Sequence, residues 1–170
     1  MTDAPRHPLL CYDGSPEAAR AIEVAGRLLG GGRVTVLYAW QSAAEALARY
    51  GTPVTYVPDD DFDRDLEHAR GVARRGADLA RAAGFEPEPR TAHSAAPPWA
   101  AILRASEELE VDLIVLGARG LTGFKSVLLG SVSHHLVNLA RRPTLVIPPP
   151  RPAGDDSHQE LMEIPVRLDT

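Results

Sequence analysis

The sequence predicts an α/β fold, a parallel sheet with helices on both faces, and three observations carry that reading. Short apolar runs rich in β-branched residues alternate along the chain with stretches of helical periodicity, the pattern of strand–helix–strand units. Two of the runs, Val34–Trp40 and Val111–Leu116, are almost wholly apolar, as strands covered on both faces are. The chain has 170 residues, 44% of them hydrophobic, which suits one domain around one core.

The first strand is read at Leu9–Tyr12, followed by the turn Asp13-Gly14-Ser15-Pro16. Ser15 is placed to cap a helix and Pro16 suits its first position; Ala18, Ile22, Ala25 and Leu29 then recur at helical spacing until Gly30-Gly31-Gly32 stops them. Val34–Trp40 is the second strand. Residues 41–61 are expected to form a mobile surface excursion, with a short helix at Ala43–Tyr50, then Pro53, Pro58 and the acidic run Asp59-Asp60-Asp61. That run reads as a solvated face capping the next helix, or as a cation site.

Phe62, Leu66, Ala69, Ala73, Ala80 and Ala83 mark a long amphipathic helix closed by Gly84. Residues 86–93 are poor in strand formers, yet a strand is expected because another helix follows at Pro97-Pro98, with Trp99, Leu103, Ser106 and Leu109 on one face. Val111–Leu116 is the clearest strand; a glycine-rich stretch, a helix marked by Val132, Leu136 and Leu139, and a last strand at Thr144–Ile147 complete five strands. Right-handed crossovers would bring Asp13, Ala39, Gly117 and the glycine-rich stretch to one rim, at the carboxyl ends of the strands. Residues 1–148 form the expected domain. Residues 149–170 read as a loosely held tail, or as a segment whose Leu161, Ile164 and Val166 lie on a neighbouring subunit.

Net charge of −5 and an isoelectric point near 5.6 argue against nucleic-acid binding, which needs clustered Lys and Arg. The single cysteine, Cys11, sits in an apolar run, so no internal disulfide forms and a small core role is expected. Met1 to His7 is polar and nowhere do 18 apolar residues run together, so the expectation is a soluble cytoplasmic protein without a membrane segment. His134 and His135 are adjacent on a helix and point to different faces, which argues against a shared metal.

The chemistry concentrates between residues 117 and 133. Gly117-Ala118-Arg119-Gly120 ends a strand, and Gly130-Ser131-Val132-Ser133 opens a helix. A helix N-terminus leaves backbone N–H groups without partners and carries partial positive charge, so phosphate oxygens bind there. Ser131 and Ser133 can donate to phosphate or ligate a metal bridging the phosphates. The stretch matches neither the Gly-x-x-x-x-Gly-Lys-Ser/Thr loop nor the Gly-x-Gly-x-x-Gly fingerprint. On spacing alone, glycines after a strand are more often simple turn residues.

Gly117, Gly120, Gly130 and Ser131 fill every fixed position of Gly-x2-Gly-x9-Gly-Ser/Thr, and with them the chain resembles the ATP-binding subgroup of the universal stress proteins. The resemblance also covers the opening strand with Asp13 and the strand ending in Ala39-Trp40. It implies a Rossmann-like fold of the adenine nucleotide alpha hydrolase kind and an ATP-binding regulator of the stress response, with Mg²⁺ or Mn²⁺ accompanying the nucleotide. Asp13 and Ala39 would border the adenine and ribose; Gly117, Gly120, Gly130, Ser131, Val132 and Ser133 would surround the phosphates. Arg119 and Lys125 either reach a phosphate or point to solvent. Asp13 serves the nucleotide, or bonds backbone N–H groups of its own turn. A homodimer through the edge strand Thr144–Ile147 is implied as well. A slow ATP hydrolase and a nucleotide-free adaptor are the alternative functions.

Overall fold

The computed structural model describes residues 7–42, 44–45, 59–120 and 129–150. Five strands, β1 (Pro8–Cys11), β2 (Gly32–Trp40), β3 (Phe85–His93), β4 (Leu113–Gly117) and β5 (Thr144–Ile147), alternate with helices α1 (Pro16–Leu29), α2 (Asp59–Ala82), α3 (Pro98–Glu108) and α4 (Ser131–Leu139). The strands form one parallel sheet in the order β3-β2-β1-β4-β5. Successive crossovers from β1 run toward β3, and the crossover through α3 returns to the far side of β1. The β1/β4 boundary is therefore where the winding reverses, the place where such sheets leave a crevice.

Alternate residues of the central strands feed two cores. Leu10, Tyr12, Val34, Val36 and Val115 pack against α1 and α2 through Ala21, Ile22, Ala25, Val72 and Ala77. Leu9, Cys11, Leu37, Ile114 and Leu116 pack against α3 and α4 through Ile102 and Leu136. This two-sided burial is why β1, β2 and β4 read as continuous apolar runs.

The expected caps hold α1 in place. Ser15 is 1% exposed and its hydroxyl accepts from the Ala18 N–H at 3.1 Å; Gly30 stops the helix at φ 75°. The acidic run Asp59-Asp60-Asp61 opens α2. β3 is an edge strand, so Pro87 and Pro89 are tolerated there and Glu86, Glu88 and Arg90 are exposed. Of the expected short helix at Ala43–Tyr50, only Ala44 and Glu45 fall among the described residues, and both are helical. Lys125 and residues 151–170, with Leu161, Ile164 and Val166, lie outside them. Among the described residues no helix is long and apolar enough to cross a membrane.

Candidate functional site

The carboxyl ends of β1, β2 and β4 and the starts of α3 and α4 enclose a cleft of about 480 Å³. That size lies in the range of small-molecule pockets. Nine residues singled out from the sequence line it, Asp13, Ala39, Gly117, Arg119, Gly120, Gly130, Ser131, Val132 and Ser133; Lys125 lies outside the described residues.

One end of the cleft is built for an anion. Among the described residues no side chain caps α4; its N-cap is Gly130, extended at φ −68° and ψ 165°. The amides of Ser131, Val132 and Ser133 consequently have no acceptor within the helix. Ser133 is 2% exposed and its hydroxyl donates to the carbonyls of Ala118 (2.7 Å) and Gly130 (2.9 Å). The Gly130 N–H donates to Ala118 O at 2.7 Å. These bonds clamp the start of α4 to the end of β4, so Ser133 offers the cleft its amide while its hydroxyl proton is engaged with the backbone. Ser131 is exposed at the helix start.

The three motif glycines have different physical reasons. A Cβ on Gly117 would stand 2.9 Å from the carbonyl carbon and oxygen of Glu17, where the first turn of α1 crosses β4. A Cβ on Gly120 would stand 2.5 Å from Asp13 Oδ2. On Gly130 the nearest atom, Ala118 O, would be 3.4 Å away, an ordinary contact. Backbone packing therefore excludes a side chain at 117, a side chain at 120 would have to displace the Asp13 carboxylate, and at 130 a methyl would make ordinary contacts among the described residues.

Asp13 bridges both of its readings. Its Oδ1 accepts from the Ser15 N–H at 2.9 Å, the Asx turn expected of Asp-Gly-Ser-Pro, while the same carboxylate lines the cleft through its contact with Gly120. Arg119 Nη2 lies 3.9 Å from Glu17 Oε1. Burial first, then the Asp13 charge, push the Cys11 thiol up to about 12, and burial, Asp13 and Asp65 raise the Tyr38 phenol. Both stay protonated at neutral pH, and the cleft presents amides, a carboxylate and a guanidinium: groups that hold and orient.

The other end of the cleft is an apolar wall in which the predicted Ala39 and Val132 are joined by four residues that sequence reasoning missed, Leu37, Pro98, Ile102 and Leu116. It can take a flat heterocycle, leaving the charged part of a ligand at α4. No sequence signal marks these residues, because the wall exists only once α3 has packed on β2. A second missed feature had a signal. Ser42-x-x-Glu45 is a capping box: the Glu45 N–H donates to Ser42 Oγ at 3.2 Å and the Ser42 N–H to Glu45 Oε2 at 2.9 Å. His93 Nε2 joins the same carboxylate oxygen at 2.8 Å, beside the Trp40 and Phe62 rings. His134 is exposed, and His135 stacks on Trp99 with ring centroids 4.6 Å apart. Among the described residues no group of three or more His, Cys, Asp or Glu is placed to hold a metal.

The model of the universal stress protein family matches residues 6–148, the whole of the sheet and its helices. The chain belongs to the universal stress protein family. It is 33% identical over 141 residues to a universal stress protein of Thermus aquaticus, covering 82% of this chain and 96% of that one. With the universal stress protein YxiE of Bacillus subtilis the identity is 28% over 145 residues, again 82% and 96% of the two chains. Among solved structures, that of MJ0577 superposes with a TM-score of 0.70 at 20% identity, covering 88% of this chain and all of that one. A universal stress protein in complex with cAMP gives 0.61 at 24% identity, covering 85% and 98%. The Archaeoglobus fulgidus protein in complex with dAMP gives 0.56 at 20%, covering 85% and 99%. At these identities the structural likenesses establish the fold, the five-stranded parallel α/β sheet of the family.

Proposed function

We propose that this universal stress protein is a nucleotide-responsive regulator that binds ATP in the cleft at the carboxyl rim. The observation that carries the reading is the convergence of all nine motif-derived residues on one cleft with an apolar wall at one end and the uncapped N-terminus of α4 at the other. The base lies against Leu37, Ala39, Pro98 and Ile102, Asp13 serves the ribose, and the phosphates take the amides of residues 131–133 with Arg119 beside them. Gly130 supports this assignment, since the fold itself makes no demand for glycine there. Relatives in complex with cAMP and dAMP support an adenine nucleotide as the ligand.

Mg²⁺ or Mn²⁺ would arrive on the phosphates, where such ions keep most of their water and take one or two protein oxygens; Ser131 Oγ and the Asp13 carboxylate are the oxygens at hand. The metal's charge would offset phosphate charge that one arginine does not balance. The Asx turn of Asp13 fixes the β1–α1 corner, and the Ser133 clamp keeps the α4 amides aimed at the ligand. Bound ATP would then favour one conformation of the rim, which a partner in the cytoplasm reads. The edge strand β5 would pair with its copy in a homodimer, because it is short, apolar and unpaired on one side.

Calorimetric titration of ATP with Mg²⁺ into the purified protein tests the reading: saturable binding is expected, and its absence in correctly folded protein leaves the adaptor function. Turnover that vanishes in Ser131→Ala would identify a hydrolase instead. Light scattering at micromolar concentration should give a dimer, and a monomer would refute the β5 pairing.

A further inference from the structure

Glu17 has no part in the nucleotide reading, yet it is the carboxylate that meets the cleft's arginine. Glu17 Oε1 lies 3.9 Å from Arg119 Nη2, with the two side chains 26% and 15% exposed. The backbone fixes this meeting. Glu17 sits in the first turn of α1, and its carbonyl group occupies the space where a side chain at position 117 would stand. Three residues on, Gly120 is seated against the Asp13 carboxylate. The two glycines thus lock the end of β4 and the residues after it against the β1–α1 turn, and Arg119 is held next to the carboxylate that turn carries.

We propose that Glu17 tunes nucleotide affinity by competing with the phosphates for Arg119. The proposal rests on the nucleotide reading of the cleft and names a residue which that reading leaves out. In the ligand-free protein the guanidinium is drawn toward Glu17. A phosphate offers it two parallel charge-assisted hydrogen bonds, which the long contact to Glu17 at 3.9 Å does not match. Phosphate arrival therefore exchanges one partner of Arg119 for another. The free energy of the Glu17 contact is subtracted from the affinity for every phosphate-bearing ligand and from none that lacks phosphate. Glu17 loses little in the exchange, because a carboxylate in the first turn of a helix stays favoured by the helix dipole. The nucleotide state of the cleft is thereby coupled to the first turn of α1, some distance from the phosphates in sequence and adjacent to them in space.

The test is a titration of ATP and of adenosine into wild type, Glu17→Gln, Arg119→Gln and the double variant, with thermal melts to establish that each is folded. Glu17→Gln should bind ATP about two- to fivefold more tightly, the scale of a partly solvated ion pair, and adenosine as wild type does. In the Arg119→Gln background the Glu17 substitution should change nothing. Glu17→Asp, which keeps the charge but shortens its reach by one methylene, should shift ATP affinity in the same direction if the Gln variant melts low. Wild type that binds ATP while Glu17→Gln binds equally or less well overturns the competition alone. So does a gain that persists without Arg119, which is plain charge repulsion. Wild type that binds neither ligand removes the nucleotide reading itself.

Discussion

Adding one methyl group at each motif glycine separates what the fold needs from what a ligand needs. At Gly117 the methyl would stand 2.9 Å from the Glu17 carbonyl group and 3.1 Å from its Cβ, so the first turn of α1 must move off β4. Overpacking of that kind costs about 1–3 kcal/mol, which lowers the melting temperature of a domain this size by roughly 2–12 °C. At Gly130 the methyl would meet Ala118 O at 3.4 Å and Arg119 Cα at 3.5 Å, and φ of −68° suits alanine. Two small effects oppose each other there: alanine is a poorer N-cap than glycine, but it restricts the unfolded chain, which stabilises by about 0.4–1 kcal/mol. Gly130→Ala should therefore melt within a few degrees of wild type. Its methyl would stand 3.9 Å from the Gly120 N, between the two chain segments that frame the anion end of the cleft. Displacing a phosphate from even one charge-assisted hydrogen bond removes about 1.5–3 kcal/mol, so ATP affinity should fall at least about tenfold. Differential scanning fluorimetry and calorimetric titration of the two variants make the comparison. Equal melting of Gly117→Ala and Gly130→Ala would refute the packing argument; ATP affinity within twofold of wild type in Gly130→Ala would refute the placement of phosphates at α4.

The Glu45 carboxyl is raised by burial but carried below its ordinary value of 4.5 by the Ser42 N–H, the His93 ring and the Ser42 hydroxyl. A lowered folded value stabilises above the unfolded one and is lost as pH falls through the folded one. Glu45→Gln should accordingly melt below wild type at pH 7, and the gap should close in acid; a gap independent of pH counts against the capping box. Burial and the Asp13 charge push the Cys11 thiol up to about 12, so native protein at pH 8 should react with a thiol reagent orders of magnitude more slowly than after denaturation. Comparable rates in the two states would contradict that burial. Ser15→Ala removes the buried cap of α1 and should cost about 1–2 kcal/mol in urea unfolding; a loss under a few tenths would show the cap to be dispensable. Glu110 is a non-glycine residue at φ 50° just after α3, and Glu110→Gly should relieve about 1 kcal/mol of left-handed strain against a smaller entropy cost, raising the melting temperature slightly.

Much of the fold was legible because its determinants are local. The Asp13–Pro16 turn, the Ser15 cap, the glycine stop of α1 and the apolar runs of β2 and β4 each obey a rule that needs only neighbouring residues. β3 was harder. Its prolines and charges contradict strand propensity, and only the need for a strand between two helices pointed to it; its place at the sheet edge, which excuses Pro87 and Pro89, is a tertiary fact. The strand order β3-β2-β1-β4-β5 was likewise out of reach, since it depends on which side of β1 each crossover returns to. The capping box at Ser42 and Glu45 shows the opposite failure. Its four-residue signature is local, yet it stands at the edge of a proline-containing stretch whose composition reads as irregular.

The candidate site divides along the same line. Its anion end is encoded by a few consecutive residues, and all nine positions read from the motif reach the cleft. Its apolar wall is assembled from β2, β4 and α3, so Leu37, Pro98, Ile102 and Leu116 carry no mark of it in sequence. The motif itself also holds two kinds of information under one letter. At Gly117 the α1 backbone leaves no room for a side chain and at Gly120 one would displace the Asp13 carboxylate, while at Gly130 a methyl would meet its described neighbours at ordinary contact distance. A spacing pattern weights the three equally; the contacts around them separate a glycine demanded by backbone packing at 117 from one at 130 where a methyl meets its described neighbours without a clash.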